Sequence, residues 1–133
     1  ASEGAMLDHY KKLSHRENEN IDFLTLLALY NDDDPAAKES IHEGARYIGL
    51  GIANLINIFN PSLVILSGNI AKLGSKVLNI INNEVKKRCM EYMQSSTRIV
   101  LSKSKSEGFM RGVACLVIGE LYKNPSKLLN PGE

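Results

Sequence analysis

The chain has 133 residues, of which 44% are hydrophobic and 23% charged, an ordinary composition for one globular domain. Its 16 basic and 15 acidic side chains leave a formal net charge of +1, which excludes a strongly basic nucleic-acid arm or an acidic tail as the main feature. Two cysteines are too few for a disulfide framework, and no apolar run approaches the ~18 residues of a membrane span. The first residues lack the pattern of a signal peptide. We therefore expect one compact, cytoplasmic domain.

Two helices are predicted within the first 30 residues. The first runs from an N-cap at Ser2 to Leu13, and the second runs from about Ile21 to Tyr30. The second helix is apolar nearly all round, which predicts that it is buried. The polar loop over residues 14–20 is too long for a helix-turn-helix, and the second helix is too apolar to face DNA.

A third, long helix is predicted from Asp34 as N-cap and Pro35 as first helical residue to about Asn60, where Pro61 stops it. Its interior contains four small residues, Gly44, Gly49, Gly51 and Ala53. Because an interior glycine costs about 1 kcal/mol relative to alanine, we expect these residues to allow close packing against another backbone.

The second half of the chain alternates strands and helices. We predict a buried strand over Ser62–Ser67, a turn at Gly68-Asn69, a helix over Ala71–Gln94, a strand over Arg98–Ser102 and a helix over Phe109–Tyr122. A strand–helix–strand unit implies that the two strands are parallel. Two strands are few for a parallel sheet, so we expect the rest of the sheet to lie outside this chain.

No sequence motif assembles a catalytic or metal site. His9, His15 and His42 lack the spacing of zinc ligands to one another or to the cysteines, Cys89 and Cys115. The acidic run at residues 32–34 is interpreted as a solvated helix start, and the basic run at residues 86–88 as a solvated helix face. No P-loop or nucleophile motif is present.

The joint between the first strand and the following helix is the informative feature. A buried strand that ends in a turn at Gly68 and opens into a helix presents backbone N–H groups at the carboxyl edge of a parallel sheet. Anions and nucleotides bind at this position in α/β folds, although many such joints bind nothing.

The chain resembles the ROK family (repressor, open reading frame, kinase) in three segments: Leu50 to Pro61 (LGIANLINIFNP), Leu63 to Asn69 (LVILSGN) and Gly108 to Leu116 (GFMRGVACL). The family's pattern is a glycine-rich helix LGxGLANLxNxxNP, a strand and turn xVIxGGG, and a closing GxxGAAxL segment. The opening Ala1 to Ala5 (ASEGA) is similar to the helix that follows the family's cysteine-rich zinc motif. The resemblance extends from Ala1 to about Tyr122.

The resemblance implies the fold class. We expect an α/β chain that forms the C-terminal portion of an actin-like, sugar-kinase (ribonuclease H-like) domain, helix-rich with a short parallel strand pair. It would be a single domain over residues 1–133, folded over 1–124 and ending in a tail over 125–133. The family's phosphate loop, catalytic Asp, sugar-binding Glu-x-Gly-His segment and zinc cysteines belong to a preceding half. We therefore expect no catalytic residue, metal ligand or cofactor in this chain, and zinc, with ATP and magnesium in a kinase, in the full-length protein.

The glycine turn is the one functional position that carries over from the family. In kinase members it lines the adenine nucleotide site, so the candidate nucleotide-binding residues are Ser67, Gly68 and Asn69. Kinases have glycine where Ser67 and Asn69 stand, and a β-carbon at either position narrows backbone access to a nucleotide. This departure favours the repressor branch of the family.

Three functions follow as hypotheses. The first is the sugar-sensing and oligomerisation module of a ROK-family transcriptional regulator, without catalysis, in which sugar effector and operator DNA are bound by parts outside this chain. The alternative is the C-terminal part of an ATP-dependent, glucokinase-like ROK sugar kinase. The third is an independent scaffold that binds partners through its helices. We expect no membrane contact. We also expect a homo-oligomer, because the glycine-interrupted helix leaves apolar surface exposed and an open sheet edge leaves backbone groups unpaired.

Overall fold

The structure is a computed structural model that describes residues 3–103 and the backbone of residues 114–118. Its elements are α1 (Glu3–Leu13), α2 (Phe23–Asn31), α3 (Pro35–Phe59), β1 (Leu63–Ser67), a 3-10 helix (Gly68–Leu73), α4 (Gly74–Arg88), α5 (Glu91–Ser96), β2 (Arg98–Leu101) and β3 (Ala114–Ile118). Among the described residues, no helix is long and apolar enough to cross a membrane.

The long helix α3 forms the centre of the fold, and both of its predicted ends are confirmed. The Asp34 carboxylate accepts a hydrogen bond from the Ala37 backbone N–H at 2.8 Å, and Pro35 occupies the first turn. At the other end Asn60 adopts a left-handed conformation, with φ of 45°, and its N–H bonds to the Ile56 carbonyl. Helices α1, α2 and α4 all pack against α3.

The first helix ends at Leu13 as predicted, and the second begins two residues later than predicted. Helix α2 begins at Phe23 because the Asp22 carboxylate caps it, accepting from the Thr25 N–H at 2.8 Å. The predicted complete burial of this helix is wrong, since Leu24 is 54% exposed while Leu26 is fully buried. The reason is that the main neighbours of α2 in the described part are α3 and α1, and its outer face packs against neither. The predicted N-cap Ser2 lies outside the described residues.

Among the residues that the structure describes, the sheet has three strands, in the order β2-β1-β3. Strand β1 pairs with β2 in parallel, with Leu63 opposite Arg98, which confirms the predicted parallel pair. On its other side β1 pairs with β3 in antiparallel, with Leu63 opposite Ile118. A third strand therefore comes from this chain, where we had expected only two.

The predicted helix Phe109–Tyr122 is wrong over residues 114–118, which form β3. A short apolar run is compatible with either a strand or a buried helix by periodicity, and here the open edge of β1 supplies backbone partners for a strand. The remainder of that predicted helix, and the predicted tail over residues 125–133, lie outside the described residues.

The predicted helix Ala71–Gln94 is also wrong as one continuous element. A 3-10 segment precedes α4, and Gly74, with φ of 77°, marks the change. Helix α4 ends at Arg88, since Cys89 and Met90 are extended, and α5 follows. Three consecutive cations in the last turn of α4 suit the negative end of the helix dipole, which favours termination there.

The glycines of α3 differ in their packing. A β-carbon added at Gly49 would lie 2.7 Å from the Glu84 Cβ and 3.0 Å from the Ile81 carbonyl oxygen, so α3 and α4 approach closely here. A β-carbon at Gly44 would overlap the side chain of Met6. The expected approach of another backbone is confirmed at Gly49 only, since Gly44 faces a side chain and an added β-carbon at Gly51 would meet nothing within 4 Å.

Candidate functional site

The chain turns sharply where β1 ends. Ser67 is extended, with φ of −128° and ψ of 175°, and Gly68 follows with φ of 82°. That conformation favours glycine, so Gly68 is required by the turn itself. Asn69 is not among the described residues with positive φ, so the side chains at Ser67 and Asn69 add bulk to the turn without straining its backbone.

The backbone after the turn differs from the expected helix start. The segment Gly68–Leu73 is a 3-10 helix of six residues, and the α-helical hydrogen bonding begins with α4 at Gly74. The free N–H groups at the start of α4 are therefore separated from the end of β1 by this segment. The turn and the α-helix N-terminus do not combine into one cradle for an anion.

Asn69 contacts the beginning of α1. Its side-chain Nδ2 donates to the Glu3 Oε2 at 3.3 Å, and the Glu3 Oε1 is buried without a hydrogen-bond partner in the described part of the chain. A carboxylate beside the turn opposes the approach of a phosphate group, because like charges repel each other. Glu3 is therefore an unfavourable neighbour for the phosphates of a nucleotide at this turn.

A groove of about 540 Å³ lies between the α2–α3 junction and the beginning of α4. It is lined by Tyr30, Asn31, Asp33, Lys38, His42, Leu73, Gly74, Ser75, Lys76 and Ile80. The start of α4 follows β1 in the chain through the six-residue 3-10 segment. Clefts near the carboxyl ends of parallel strands are common ligand sites in α/β folds.

The groove combines two rings and an ion pair. The rings of Tyr30 and His42 meet edge to face, with centroids 5.8 Å apart and planes at 74°. The Lys38 Nζ lies 2.5 Å from the Asp33 Oδ1, and its hydrogen bond lowers the pKa of the Asp33 carboxyl. Burial lowers the pKa of His42, which favours its neutral form. The groove therefore offers donors, acceptors and an aromatic wall to a small polar molecule.

This groove was missed by the sequence analysis. Tyr30 and His42 lie twelve positions apart on two helices, and no local spacing relates them. The acidic run that includes Asp33 was interpreted only as a helix start. The sequence contains one signal for this groove, the break between α2 and α3, because such a break brings the end of one helix next to the start of another.

The residues considered for a metal do not come together. Within residues 3–103, no group of three or more His, Cys, Asp or Glu side chains could hold a metal ion. His9 lies beside Glu43, with 2.5 Å between Nδ1 and Oε2, and His15 occupies the loop after α1. Cys89 is half-buried, and burial raises the pKa of its thiol. The described residues thus do not fit the zinc ion that the resemblance implies for the full-length protein.

Comparison with known proteins gives concordant matches. The model of the ROK family matches residues 1–120. The chain is 28% identical to a xylose repressor of Caldicellulosiruptor bescii over 94% of this chain and 34% of that protein. It is also 28% identical to the xylose repressor of Bacillus subtilis over 89% of this chain and 30% of that protein. The chain spans about a third of the length of these curated relatives.

A solved structure supports the fold. The chain is similar to a ROK family transcriptional regulator described as a homologue of the Escherichia coli Mlc protein, with a TM-score of 0.67 and 24% sequence identity. The similarity covers 74% of this chain and 27% of that regulator. Since the family model accounts for residues 1–120 of 133, the chain belongs to the ROK family and has the actin-like, sugar-kinase fold of part of a ROK regulator.

Proposed function

We propose that this chain is part of the sugar-sensing and oligomerisation module of a ROK-family transcriptional repressor, and that it performs no catalysis. Relatives that match over most of the chain are xylose repressors, which supports a repressor. The observation that carries the proposal is the contact between Asn69 and Glu3, which puts a carboxylate beside the turn that resembles the nucleotide site of the kinases. Operator DNA, the sugar effector and zinc would be bound by parts outside this chain, in the cytoplasm.

DNA binding by the full-length protein tests this proposal. We expect the protein to bind DNA from upstream of its own coding sequence in a fluorescence anisotropy titration, and a pentose or hexose to weaken that binding at least tenfold. DNA of the same length from inside the coding sequence is the control. Equal affinity for both DNAs, with no effect of any sugar, would contradict the repressor function.

The alternative is a ROK sugar kinase that uses ATP and magnesium. One observation favours it: Gly68 retains the positive φ that a close backbone approach requires. In that function Ser67, Gly68 and Asn69 would line the nucleotide site. The negative charge of Glu3 beside the turn is unfavourable for nucleotide binding. Glu3→Gln should therefore increase any affinity of the chain for a nucleotide.

Self-association through the outer face of α3 is part of the same proposal. Tyr47 and Ile58 are 57% and 72% exposed on this face, and Gly51 lies between them. A β-carbon at position 51 would meet no atom of the described chain, so packing within the chain does not require glycine there. Glycine nevertheless destabilises a helix relative to alanine. The close approach of another protein backbone to this position would account for it. Exposed apolar side chains around such a position are typical of a protein interface.

Sedimentation equilibrium of two matched variants tests this surface. We expect Ile58→Lys to weaken self-association at least tenfold, because it places a charge in the apolar face. The control is Leu24→Lys, which changes a similarly exposed leucine (54%) on α2 and should leave association unchanged. A wild-type chain that is monomeric at all accessible concentrations would contradict the proposal, and so would equal effects of the two substitutions.

A further inference from the structure

A second groove, of about 420 Å³, lies between the outer surfaces of α3 and α4, away from the Gly68 turn. It is lined by Arg46, Tyr47, Leu50, Glu84, Lys87 and Arg88. Three of these side chains are cations and one is a carboxylate, so the groove carries a net charge of about +2 by side-chain type. Tyr47 also belongs to the α3 face proposed for self-association, whereas the four charged residues and Leu50 have no part in the proposed repressor function.

The carboxylate of Glu84 holds two of the cations in place. Its side chain is only 9% exposed, and it accepts hydrogen bonds from the Lys87 Nζ at 2.9 Å and from the Arg88 guanidinium. Both of its oxygens are therefore paired, and two flexible side chains are fixed beside the groove. The close approach of α3 at Gly49 lies directly against Glu84 and keeps the two helices together at this point.

The third cation comes from the opposite wall. Arg46 is half-exposed, and the nearest carboxylate oxygen, on Glu39, is 3.8 Å from its Nη1. A guanidinium has five N–H donors, so most of the donors of Arg46 are free to bind another group. The neighbouring Tyr47 is 57% exposed and adds a phenol hydroxyl and a ring face.

The helix dipole explains only part of this arrangement. Cations in the last turn of α4 are favourable for the helix whether or not a ligand binds. Arg46, however, lies in the middle of α3, far from the partial charges that the helix dipole places at the two ends, and it faces the same groove. Two guanidinium groups and an ammonium group around one small space match a tetrahedral dianion, since arginine binds phosphate through paired hydrogen bonds.

We propose that this groove binds the phosphate group of a small phosphorylated molecule. Arg46 and Arg88 would bind the phosphate oxygens from two sides, Lys87 would add charge, and Leu50 with the ring of Tyr47 would contact the organic part. The groove is too small for a helix, whose diameter with side chains is about 10 Å. A phosphate monoester and free inorganic phosphate share the chemistry that this site recognises.

Titration calorimetry of the full chain with glycerol 3-phosphate, inorganic phosphate and glycerol tests the site. We expect saturable binding of the phosphate-containing probes with a Kd of about 1 mM, and none of glycerol. Arg46→Gln should weaken binding at least tenfold. The matched control is Arg16→Gln, because Arg16 is about equally exposed (47% against 49%). Its nearest carboxylate, on Glu19, is 4.0 Å away, against 3.8 Å for Arg46 and Glu39.

The outcomes separate the site from general charge attraction. Tighter binding of glycerol 3-phosphate than of phosphate assigns the groove to a monoester, and equal binding assigns it to free phosphate. Equal losses in Arg46→Gln and Arg16→Gln would overturn the site, as would no saturable binding at 10-fold the expected Kd. Arg46-dependent binding of a hexaglutamate peptide without phosphate binding would also overturn it, in favour of an acidic protein partner. Thermal melting of both variants checks that each is folded.

Discussion

The crossing of α3 and α4 predicts opposite effects of one substitution at two nearby positions. Alanine in place of glycine stabilises a helix interior by ~0.5–1 kcal/mol, and this gain applies equally to Gly49 and Gly51. At Gly51 the new methyl group meets nothing within 4 Å, so Gly51→Ala should raise the free energy of unfolding by that amount.

At Gly49 the methyl group would be 2.7 Å from the Glu84 Cβ and 3.0 Å from a backbone oxygen of Ile81. Neither atom is the end of a flexible side chain, so the two helices must separate, and overpacking of this kind costs about 1–3 kcal/mol. After the gain in helix propensity is subtracted, Gly49→Ala should lower the free energy of unfolding by up to ~2 kcal/mol. Because the propensity gain is common to both variants, they should differ by the overpacking cost alone, ~1–3 kcal/mol.

Urea denaturation followed by circular dichroism measures the difference. With a slope of about 2 kcal/mol per molar, the midpoints of the two variants should lie ~1 M apart, on opposite sides of the wild type. The measurement is made at a concentration where sedimentation shows monomer, so that a change in association does not enter. A Gly49→Ala midpoint at or above that of the wild type would refute the close approach of α3 and α4.

Two further predictions concern capping and pH. Asp34→Ala should destabilise the chain by ~1 kcal/mol in the same denaturation assay, because it removes the side-chain cap of α3. The control is Asp32→Ala, which removes an exposed carboxylate that has no described side-chain hydrogen bond and should have little effect. Burial lowers the pKa of His42 below its ordinary 6.5, so the unfolded chain binds the proton more readily and stability should fall as the pH drops below about 6.5. His42→Gln should remove this part of the melting profile. The loss below pH 4, expected because hydrogen bonds from Lys residues lower the pKa values of Asp33 and Glu84, should remain in that variant.

Elements with local chemical signals were predictable. Both ends of α3 are set by residues adjacent in sequence: a capping Asp before a proline at the start, and a left-handed Asn before a proline at the end. Strands β1 and β2 are apolar runs between turn residues, and their parallel pairing follows from the length of the connection. These features need no knowledge of distant parts of the chain.

Elements determined by distant contacts were not predictable. The break between α4 and α5 contains neither glycine nor proline, and it occurs where the chain must return to place Arg98 beside Leu63. The residues of β3 could form a strand or a helix, and the unpaired edge of β1 decides between them.

The candidate site shows the same division. Gly68 could be identified from the strand–turn pattern, and its positive φ is confirmed. The contact of Asn69 with Glu3 joins positions 66 residues apart, so no periodicity or spacing reveals it. The pairing of Tyr30 with His42 likewise depends on how α2 packs against α3.

The proposal that this protein is a repressor and not a sugar kinase can be tested directly by measuring ATP turnover. The full-length protein is incubated with saturating magnesium ATP and a panel of aldoses that includes xylose and glucose, and ADP release is followed by a coupled assay. We expect no sugar-dependent ADP release above the rate without sugar. Sugar-dependent turnover at about 1 s⁻¹ or faster, an ordinary rate for an enzyme, would contradict it.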